Sequence, residues 1–208
     1  MIGRKIPTRP PKTQRHTVEA YFALDDNADA KYEYIDGEII PVSGASYAHN
    51  LIVSNLVCAL GNQVLGTSYT VLASNMRVVA SSKDAYCYPD ALVVGDNPTL
   101  LPDHQDTLTN PTVVIEVLSP STELNDRGVK FNKYQQIPTL KAYLLVAQDA
   151  PYIELFTHQK GNLWLYTTYA GTDAAVTLTA INATLRAAEV YLNVDFPPFA
   201  EEPSNDEL

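Results

Sequence analysis

No hydrophobic run in the sequence is long enough to cross a membrane. A spanning helix needs about 20 consecutive apolar residues, and every apolar stretch in these 208 residues is shorter. The proline-rich, basic start is also not followed by the apolar segment of a secretory signal peptide. Both absences argue against export or a membrane partner, so we predict a cytoplasmic protein.

Cysteine is scarce, with only two residues. Cys58 lies in an apolar helical pattern and Cys87 beside a strand-like run, so both are expected to be reduced, partly buried thiols. The sequence also has no Cys-x-x-Cys pair, no His-Glu-x-x-His, no glycine-rich phosphate loop and no Gly-x-Ser-x-Gly elbow. Zinc enzymes, nucleotide triphosphatases and α/β-hydrolases therefore lack their signatures here, and no nucleotide cofactor is predicted.

Positive charge is scarce as well. The 14 lysines and arginines stand against 24 aspartates and glutamates, which gives a net charge of −10. Phosphate contacts from Lys and Arg usually supply most of the affinity for nucleic acid, so the composition offers no broad basic footprint. Basic residues collect at the start and acidic residues at the end. We predict a basic arm over residues 1–16, a single domain over 17–196 and an acidic tail over 197–208.

Two short apolar runs each carry one carboxylate. Residues 88–94 include Asp90, and residues 111–118 include Glu116. Both runs are rich in β-branched residues and are closed by turn formers, which is typical of strands that are buried on both faces. A carboxylate in such a strand costs several kcal/mol unless it is paired or bound to a metal.

The two carboxylates predict a metal site if their strands are neighbours. At a separation of about 4 to 5 Å they would repel by roughly 4 kcal/mol at an effective dielectric constant of about 20, and a divalent cation removes that repulsion. With the backbone carbonyl of Val117 and water they form an all-oxygen ligand set, which suits Mg²⁺ or Mn²⁺ better than Zn²⁺. A structural pair of acids is the alternative.

The remaining patterns predict an α/β domain with a central mixed sheet flanked by helices. Asp36-Gly37 is a type I′ turn signal and predicts an N-terminal β-hairpin. Apolar residues at helical spacing over 47–65, with Ser46 as N-cap, predict a long helix. The runs at 152–157 and 163–168 predict a C-terminal β-hairpin.

Two further segments carry specific expectations. The polar stretch 95–110 is expected to form a surface loop. Asp126 is expected to cap a helix over residues 127–136, which ends before a proline. Lys130 and Tyr134 then stand four residues apart on one face of that helix. This face is expected to look toward the two acids.

The ordered set of Pro89-Asp90, the stretch 116–122 and the stretch 126–130 with Tyr134 resembles the PD-(D/E)XK nuclease superfamily. Within it the chain resembles the Uma-two family of restriction-type endonucleases, which is expanded in cyanobacteria. The similarity covers most of the chain and includes a Tyr-Glu-x-x-Asp-Gly-Glu opening and a Ser-x-x-His helix start. It implies a restriction-endonuclease-like core and hydrolysis of DNA phosphodiester bonds with Mg²⁺, for which Mn²⁺ is a possible substitute.

One position departs from the superfamily pattern. A lysine usually stands two residues after the second acid, and here Leu118 occupies that position. The resemblance implies that the lysine has moved to the following helix, where Lys130 matches. The implied catalytic residues are thus Asp90, Glu116 and Lys130, while Lys130 as an ordinary surface lysine is the alternative.

Four more residues are candidates for a supporting or substrate-binding role, and each has a plainer explanation. Glu33 matches an acid that joins the metal site or its surroundings in the resembled family, or is a solvated charge of the hairpin. His49 contacts phosphate or the site, or is a packing histidine. Arg77 contacts phosphate, or forms a structural pair with an acid. Tyr134 accompanies Lys130 on its helix face.

A function of another class stays open. The displaced lysine and the acidic net charge also fit a non-catalytic module that binds DNA or protein and retains the nuclease fold. Under the nuclease hypothesis the partner is DNA. A homodimer is then expected, because cutting both strands generally needs two active sites.

Overall fold

The computed structural model describes residues 15–42, 44–73, 75–80 and 82–196. The predicted acidic tail and all but the last two residues of the predicted basic arm lie outside these ranges. None of the described helices is both long and apolar enough to span a bilayer.

The described residues form a mixed α/β structure. The helices are α1 (Val18–Asp25), α2 (Tyr47–Val64), a π-helix (Asn125–Lys130) continued by α3 (Phe131–Tyr134), a 3₁₀ turn (Thr179–Ile181) and α4 (Ala187–Val190). The strands are β1 (Tyr32–Ile35), β2 (Glu38–Pro41), β3 (Thr70–Ala73), β4 (Arg77–Val79), β5 (Ala85–Cys87), β6 (Ala91–Val94), β7 (Leu100–Leu101), β8 (His104–Leu108), β9 (Val113–Leu118), β10 (Ala142–Ala147), β11 (Tyr152–His158), β12 (Trp164–Ala170), β13 (Ala175–Leu178) and β14 (Ala183–Arg186).

Most strands belong to two six-stranded mixed sheets rather than to the single central sheet that was expected. The first has the order β2-β1-β5-β4-β8-β7, and the second has the order β12-β11-β10-β9-β6-β3. The chain passes from the first sheet to the second between Cys87 and Ala91. Pro89 stands in this passage, and because proline has no N–H to donate it interrupts strand pairing there. Asp90 therefore lies at the junction of the two sheets.

The second sheet contains the main core. All six residues of β9 and all four of β6 are buried, which confirms that the two carboxylate-bearing runs form central strands. One face is covered by α2 through Ile52, Leu56 and Leu60. The other face is covered by Tyr134 and the segment that follows α3.

Both predicted hairpins are confirmed. Asp36 and Gly37 have φ values of 51° and 93°, the two positive values that a type I′ turn requires. They connect β1 to β2, which pair antiparallel. Strands β11 and β12 form the C-terminal hairpin over their full length.

Two local predictions were wrong. The polar stretch 95–110 is not a plain loop, since it contains β7 and β8. Leu108 is fully buried and anchors β8 beside β4, so tertiary packing overrides the polar composition. Asp126 does not cap a helix. It lies inside the π-helix with its side chain buried, close to the ammonium group of Lys130.

Candidate active site

Asp90 and Glu116 come together as the sequence predicted, because their strands are neighbours. Strands β6 and β9 pair antiparallel with Ala91 opposite Ile115, so Asp90, which directly precedes β6, and Glu116, which follows Ile115, both adjoin this pair. The Oδ2 atom of Asp90 accepts a hydrogen bond from the backbone N–H of Val117 at 2.7 Å. Asp90 is thus hydrogen-bonded to Val117, the residue that directly follows Glu116.

His49 holds the other oxygen of Asp90. Ser46 caps α2 by accepting the backbone N–H of His49 at 3.0 Å, which fixes the first turn of the helix beside the sheet. The Nε2 atom of His49 lies 2.9 Å from Oδ1 of Asp90. An ionised carboxylate only accepts hydrogen bonds, so Nε2 of His49 is the protonated ring nitrogen in this contact. The histidine therefore orients Asp90.

Glu116 is buried, with 3% of its surface exposed. Its Oε1 atom accepts a hydrogen bond from the hydroxyl of Tyr134 at 3.2 Å and lies 3.4 Å from Nζ of Lys130. Burial raises the pKa of Glu116 well above its usual value; Lys130 opposes this rise, while the nearby carboxylates of Asp126 and Asp90 add to it. A further cation bound close to this side chain would favour its ionised form.

Lys130 lies in a cage of three carboxylates. Its Nζ is 2.9 Å from Glu33 Oε1, 3.1 Å from Asp126 Oδ1 and 3.4 Å from Glu116 Oε1. Burial lowers the pKa of Lys130, but the carboxylates raise it by more, and the net result is a pKa well above the usual value. Lys130 is therefore an ammonium ion at neutral pH.

Asp126 is the residue of this cage that sequence reasoning missed. It is 2% exposed, and its Oδ1 atom is close to Nζ of Lys130 without hydrogen-bond geometry and without another hydrogen-bond partner in the described structure. Its backbone oxygen accepts the hydroxyl of Tyr143 at 2.9 Å, which anchors the π-helix to β10. The available signal was the spacing of four residues from Asp126 to Lys130.

The π-helix explains how three side chains of one segment reach the site. A π-helix turns less per residue than an α-helix, and α3 follows it directly. A step of four residues is slightly more than one turn of an α-helix and slightly less than one turn of a π-helix, so the two angular offsets partly cancel along this segment. Asp126, Lys130 and Tyr134 are all buried on the side that faces the sheet.

Glu33 links the lysine to the chain that leads into Asp90. It lies on β1 and is 8% exposed. Its Oε1 atom accepts the backbone N–H of Tyr88 at 3.0 Å and is also the nearest carboxylate oxygen to Lys130. Glu33 is thus part of the buried cluster rather than a solvated hairpin charge.

Arg77 lies outside the cleft. It is 1% exposed, and its Nη2 atom lies 2.8 Å from Asp106 and 3.1 Å from Asp25. Its Nε donates to the hydroxyl of Tyr88 at 3.0 Å, and that hydroxyl donates to Asp25. Arg77 therefore forms structural ion pairs with Asp25 and Asp106. Arg77 reaches the site only through Tyr88, two residues before Asp90.

One cleft, with a volume of about 470 Å³, is lined by the other acidic and basic side chains of the site, which are Glu33, His49, Asp90, Glu116, Asp126 and Lys130. It is also lined by the end of β2, the start of α2, residues 119–122 and Asn125. Glu33, His49, Asp90, Glu116 and Lys130 are at its base. The rim is mostly uncharged and carries the hydroxyl and amide side chains of Ser46, Asn50, Ser121, Thr122, Asn125 and Gln148.

The base of the cleft fits a divalent cation by its charge and its donor atoms. In the described structure no three His, Cys, Asp or Glu side chains are grouped as a ready metal centre, and the predicted set needs only two of them with the Val117 carbonyl. Three carboxylates, those of Glu33, Glu116 and Asp126, surround the ammonium of Lys130, and the carboxylate of Asp90 lines the same cleft. This buried excess of negative charge is what a bound cation offsets.

Comparison with known proteins agrees with the sequence motifs. Residues 18–189 match the model of the Uma2 (Uma-two) family, described as "Putative restriction endonuclease". An uncharacterized Synechocystis protein, sll1609, is 34% identical over 160 residues, which is 77% of this chain and 90% of that protein. A second, slr1290, is 31% identical over 180 residues, or 86% of this chain and 92% of that protein.

The fold also has a counterpart among crystal structures. A protein from Anabaena variabilis, described as a putative nuclease belonging to DUF820, superposes with a TM-score of 0.64 at 18% identity. The alignment covers 79% of this chain and 91% of the Anabaena chain. The predicted restriction-endonuclease-like fold is confirmed. Because the family model matches most of the chain, this protein belongs to the Uma2 family.

Proposed function

We propose that this protein is a metal-dependent endonuclease that hydrolyses DNA phosphodiester bonds. The observation that carries the proposal is the base of the cleft, where Asp90 accepts a hydrogen bond from the residue after Glu116 and Lys130 lies 3.4 Å from Glu116. Membership of a family described as restriction endonucleases supports the same reaction class.

Each side chain has a distinct role in the proposed reaction. Asp90, Glu116 and the carbonyl of Val117 hold Mg²⁺ or Mn²⁺, which supplies an activated water and neutralises charge on the scissile phosphate. His49 keeps Asp90 oriented through its hydrogen bond. Lys130 is an ammonium ion, so it stabilises negative charge on the phosphate or orients the water instead of accepting a proton.

Tyr134 and Glu33 support these groups without touching the substrate. The hydroxyl of Tyr134 holds Glu116, and Glu33 holds Lys130. The proposal includes a homodimer only for double-strand cleavage. One cleft contains one set of catalytic groups, and cutting both strands generally needs two active sites.

Purified protein tests this proposal in a Mg²⁺- or Mn²⁺-dependent cleavage assay on plasmid and single-stranded DNA. Asp90→Asn, Glu116→Gln and Lys130→Ala are each expected to abolish most of the cleavage. Lys133→Met is the matched control, because Lys133 is in the same helical segment but pairs with Asp36 and Asp84 outside the cleft. It is expected to cut like the unchanged protein. Cleavage that survives in Asp90→Asn indicates a contaminating nuclease.

The acidic net charge favours a second candidate, a binding module without turnover. Such a module retains its partner when Asp90→Asn removes a metal ligand, and it shows no metal-dependent cleavage of any DNA. Absence of cleavage together with absence of Mn²⁺ binding in calorimetry would reject the enzyme and leave this candidate.

A further inference from the structure

The cleft has few cations with which to bind a DNA duplex. Proteins that bind duplex DNA through its phosphates make about 6 to 10 such contacts with Lys and Arg. Among the described residues, only Lys31 and Lys130 are cations that line the cleft. Arg77, Arg127 and Lys133 are paired with carboxylates elsewhere. Within the described lining of the cleft, uncharged polar groups therefore outnumber the cations that could contact phosphate.

The reactive groups also lie deep. Glu116 is 3% exposed and Lys130 is 6% exposed, at the base of a cleft that is also lined by the end of β2, the start of α2 and residues 119–122. The phosphates of a duplex follow a stiff helix, because both strands are stacked and paired. An unpaired strand bends freely, so its phosphodiester can enter such a cleft at lower cost.

The rim offers groups suited to bases rather than to phosphates. Asn50, Thr122 and Asn125 all line the cleft. Amide and hydroxyl side chains donate and accept hydrogen bonds, which matches the base edges that become accessible when a strand is unpaired. In a duplex those edges are engaged by the partner strand.

Tyr47 adds an aromatic surface beside this rim. It is the first residue of α2 and is 82% exposed, while its neighbours Ser46 and His49 line the cleft. Side chains on a helix lean toward its N-terminus, and this end of α2 is at the mouth of the cleft. An exposed ring in this position can stack on an unpaired base, a contact that does not depend on charge.

We propose that the substrate is single-stranded DNA, or a single-stranded part of a longer DNA, and that Tyr47 binds it by stacking on a base next to the cleaved phosphodiester. This inference rests on the proposed nuclease function and narrows its substrate. It also removes the need for a second active site, since only one strand is cut.

The test compares a fluorescent single strand of about 30 nucleotides with the same sequence as a duplex, a length that covers typical single-strand binding sites. Cleavage is measured for the unchanged protein, Tyr47→Phe and Tyr47→Ala. Tyr166→Ala is the matched control, because Tyr166 is a half-exposed tyrosine of the edge strand β12, none of whose residues line the cleft, whereas Ser46 and His49 beside Tyr47 do. Binding of both DNAs to Asp90→Asn is followed by fluorescence anisotropy in parallel.

We expect kcat/KM to be at least about tenfold higher on the single strand than on the duplex. Tyr47→Ala is expected to raise KM for the single strand about tenfold with little change in kcat, as loss of one stacking contact predicts. Tyr47→Phe keeps the ring and is expected to behave like the unchanged protein, as is Tyr166→Ala.

The outcomes separate this inference from the proposed function. Cleavage of the duplex at the same rate, or an unchanged KM in Tyr47→Ala, overturns the single-strand proposal while the nuclease stands. Absence of cleavage of either DNA overturns the nuclease. In that case equal binding of both DNAs by Asp90→Asn overturns the single-strand preference too, whereas preferred binding of the single strand supports it.

Discussion

The Oε1 atom of Glu33 lies 2.9 Å from Nζ of Lys130 and also accepts the backbone N–H of Tyr88. One carboxylate oxygen therefore connects the lysine of the helical segment to the chain that leads into Asp90. Glu33 of the first sheet and Lys130 of the helical segment share this buried contact.

Replacing Glu33 with Gln tests this connection. The amide keeps the shape and the acceptor for Tyr88 but loses the charge that holds Lys130. We expect kcat to fall about 10- to 100-fold, the usual effect of removing a group that orients a metal-site residue, while KM changes little. Glu38→Gln is the control, since Glu38 is an exposed acid on the other strand of the hairpin. Equal kcat in both variants would contradict the role of Glu33.

Asp126→Asn tests the residue that the sequence did not reveal. Loss of this carboxylate leaves Lys130 with two acidic neighbours, and we expect kcat to fall about 10- to 100-fold with Mn²⁺ affinity little changed. Glu123→Gln is the matched control, because Glu123 precedes the same π-helix and pairs with Arg127 at the surface. A fall in Mn²⁺ affinity as large as that in kcat would assign Asp126 to the metal instead.

A lysine at position 118 tests whether the cationic group has moved. Leu118 is two residues after Glu116 and shares its face of β9, because side chains alternate along a strand. In a Lys130→Ala background, Leu118→Lys is expected to restore cleavage about tenfold over Lys130→Ala alone, since it returns an ammonium to that face. Leu118→Met is the control for altered packing. Equal rates in the two double variants would show that position 118 does not reach the phosphate.

The surface pair of Asp84 with Lys133 predicts a stability that depends on pH. Burial raises the pKa of Asp84, but hydrogen bonds from Lys133 and Ser82 outweigh it, so the pKa is lower than usual. A lowered pKa stabilises the fold above the unfolded value of about 3.9 and this contribution is lost as pH falls through the folded value.

Lys133→Met should therefore unfold more easily than the unchanged protein at pH 7 and equally easily in strong acid. Because Asp84 is partly exposed, solvent screens the pair and the difference at pH 7 is expected to be no more than about 1 kcal/mol. Urea unfolding at pH 7 and at pH 2.5 measures it, provided that both proteins remain folded in acid without urea. A difference that persists unchanged at pH 2.5 would point to packing of the lysine stem.

Arg77→Met is expected to reduce stability much more. It leaves the buried carboxylate of Asp25 without its cation, and breaking a buried ion pair costs about 3 to 5 kcal/mol. Lys133→Met is the comparison, since Lys133 pairs with the exposed carboxylates of Asp36 and Asp84. Thermal unfolding of the two variants measures which of them loses more stability. A smaller loss in Arg77→Met than in Lys133→Met would contradict the structural role of Arg77.

Local sequence pattern was sufficient for the parts of the fold that depend on neighbouring residues. The β-branched runs around Asp90 and Glu116 predict buried strands because both faces of each run are apolar. Asp36-Gly37 predicts its hairpin because few residue pairs adopt two positive φ values. Ser46 predicts the start of α2 because its hydroxyl caps the first turn. The resemblance to a nuclease family added Lys130, whose function no local pattern indicates.

Only the tertiary structure decided which distant groups meet. The division into two sheets places Asp90 at their junction, and packing of the π-helix against β10 turns Asp126 from an expected cap into a neighbour of Lys130. Arg77 and Glu33 are both charged residues on strands, yet one pairs with acids outside the cleft and the other lies at its base. Sequence alone determined the two candidate acids and the buried strands that carry or adjoin them. The charge around Lys130 arises mainly from contacts over long chain separations, which local propensity does not encode.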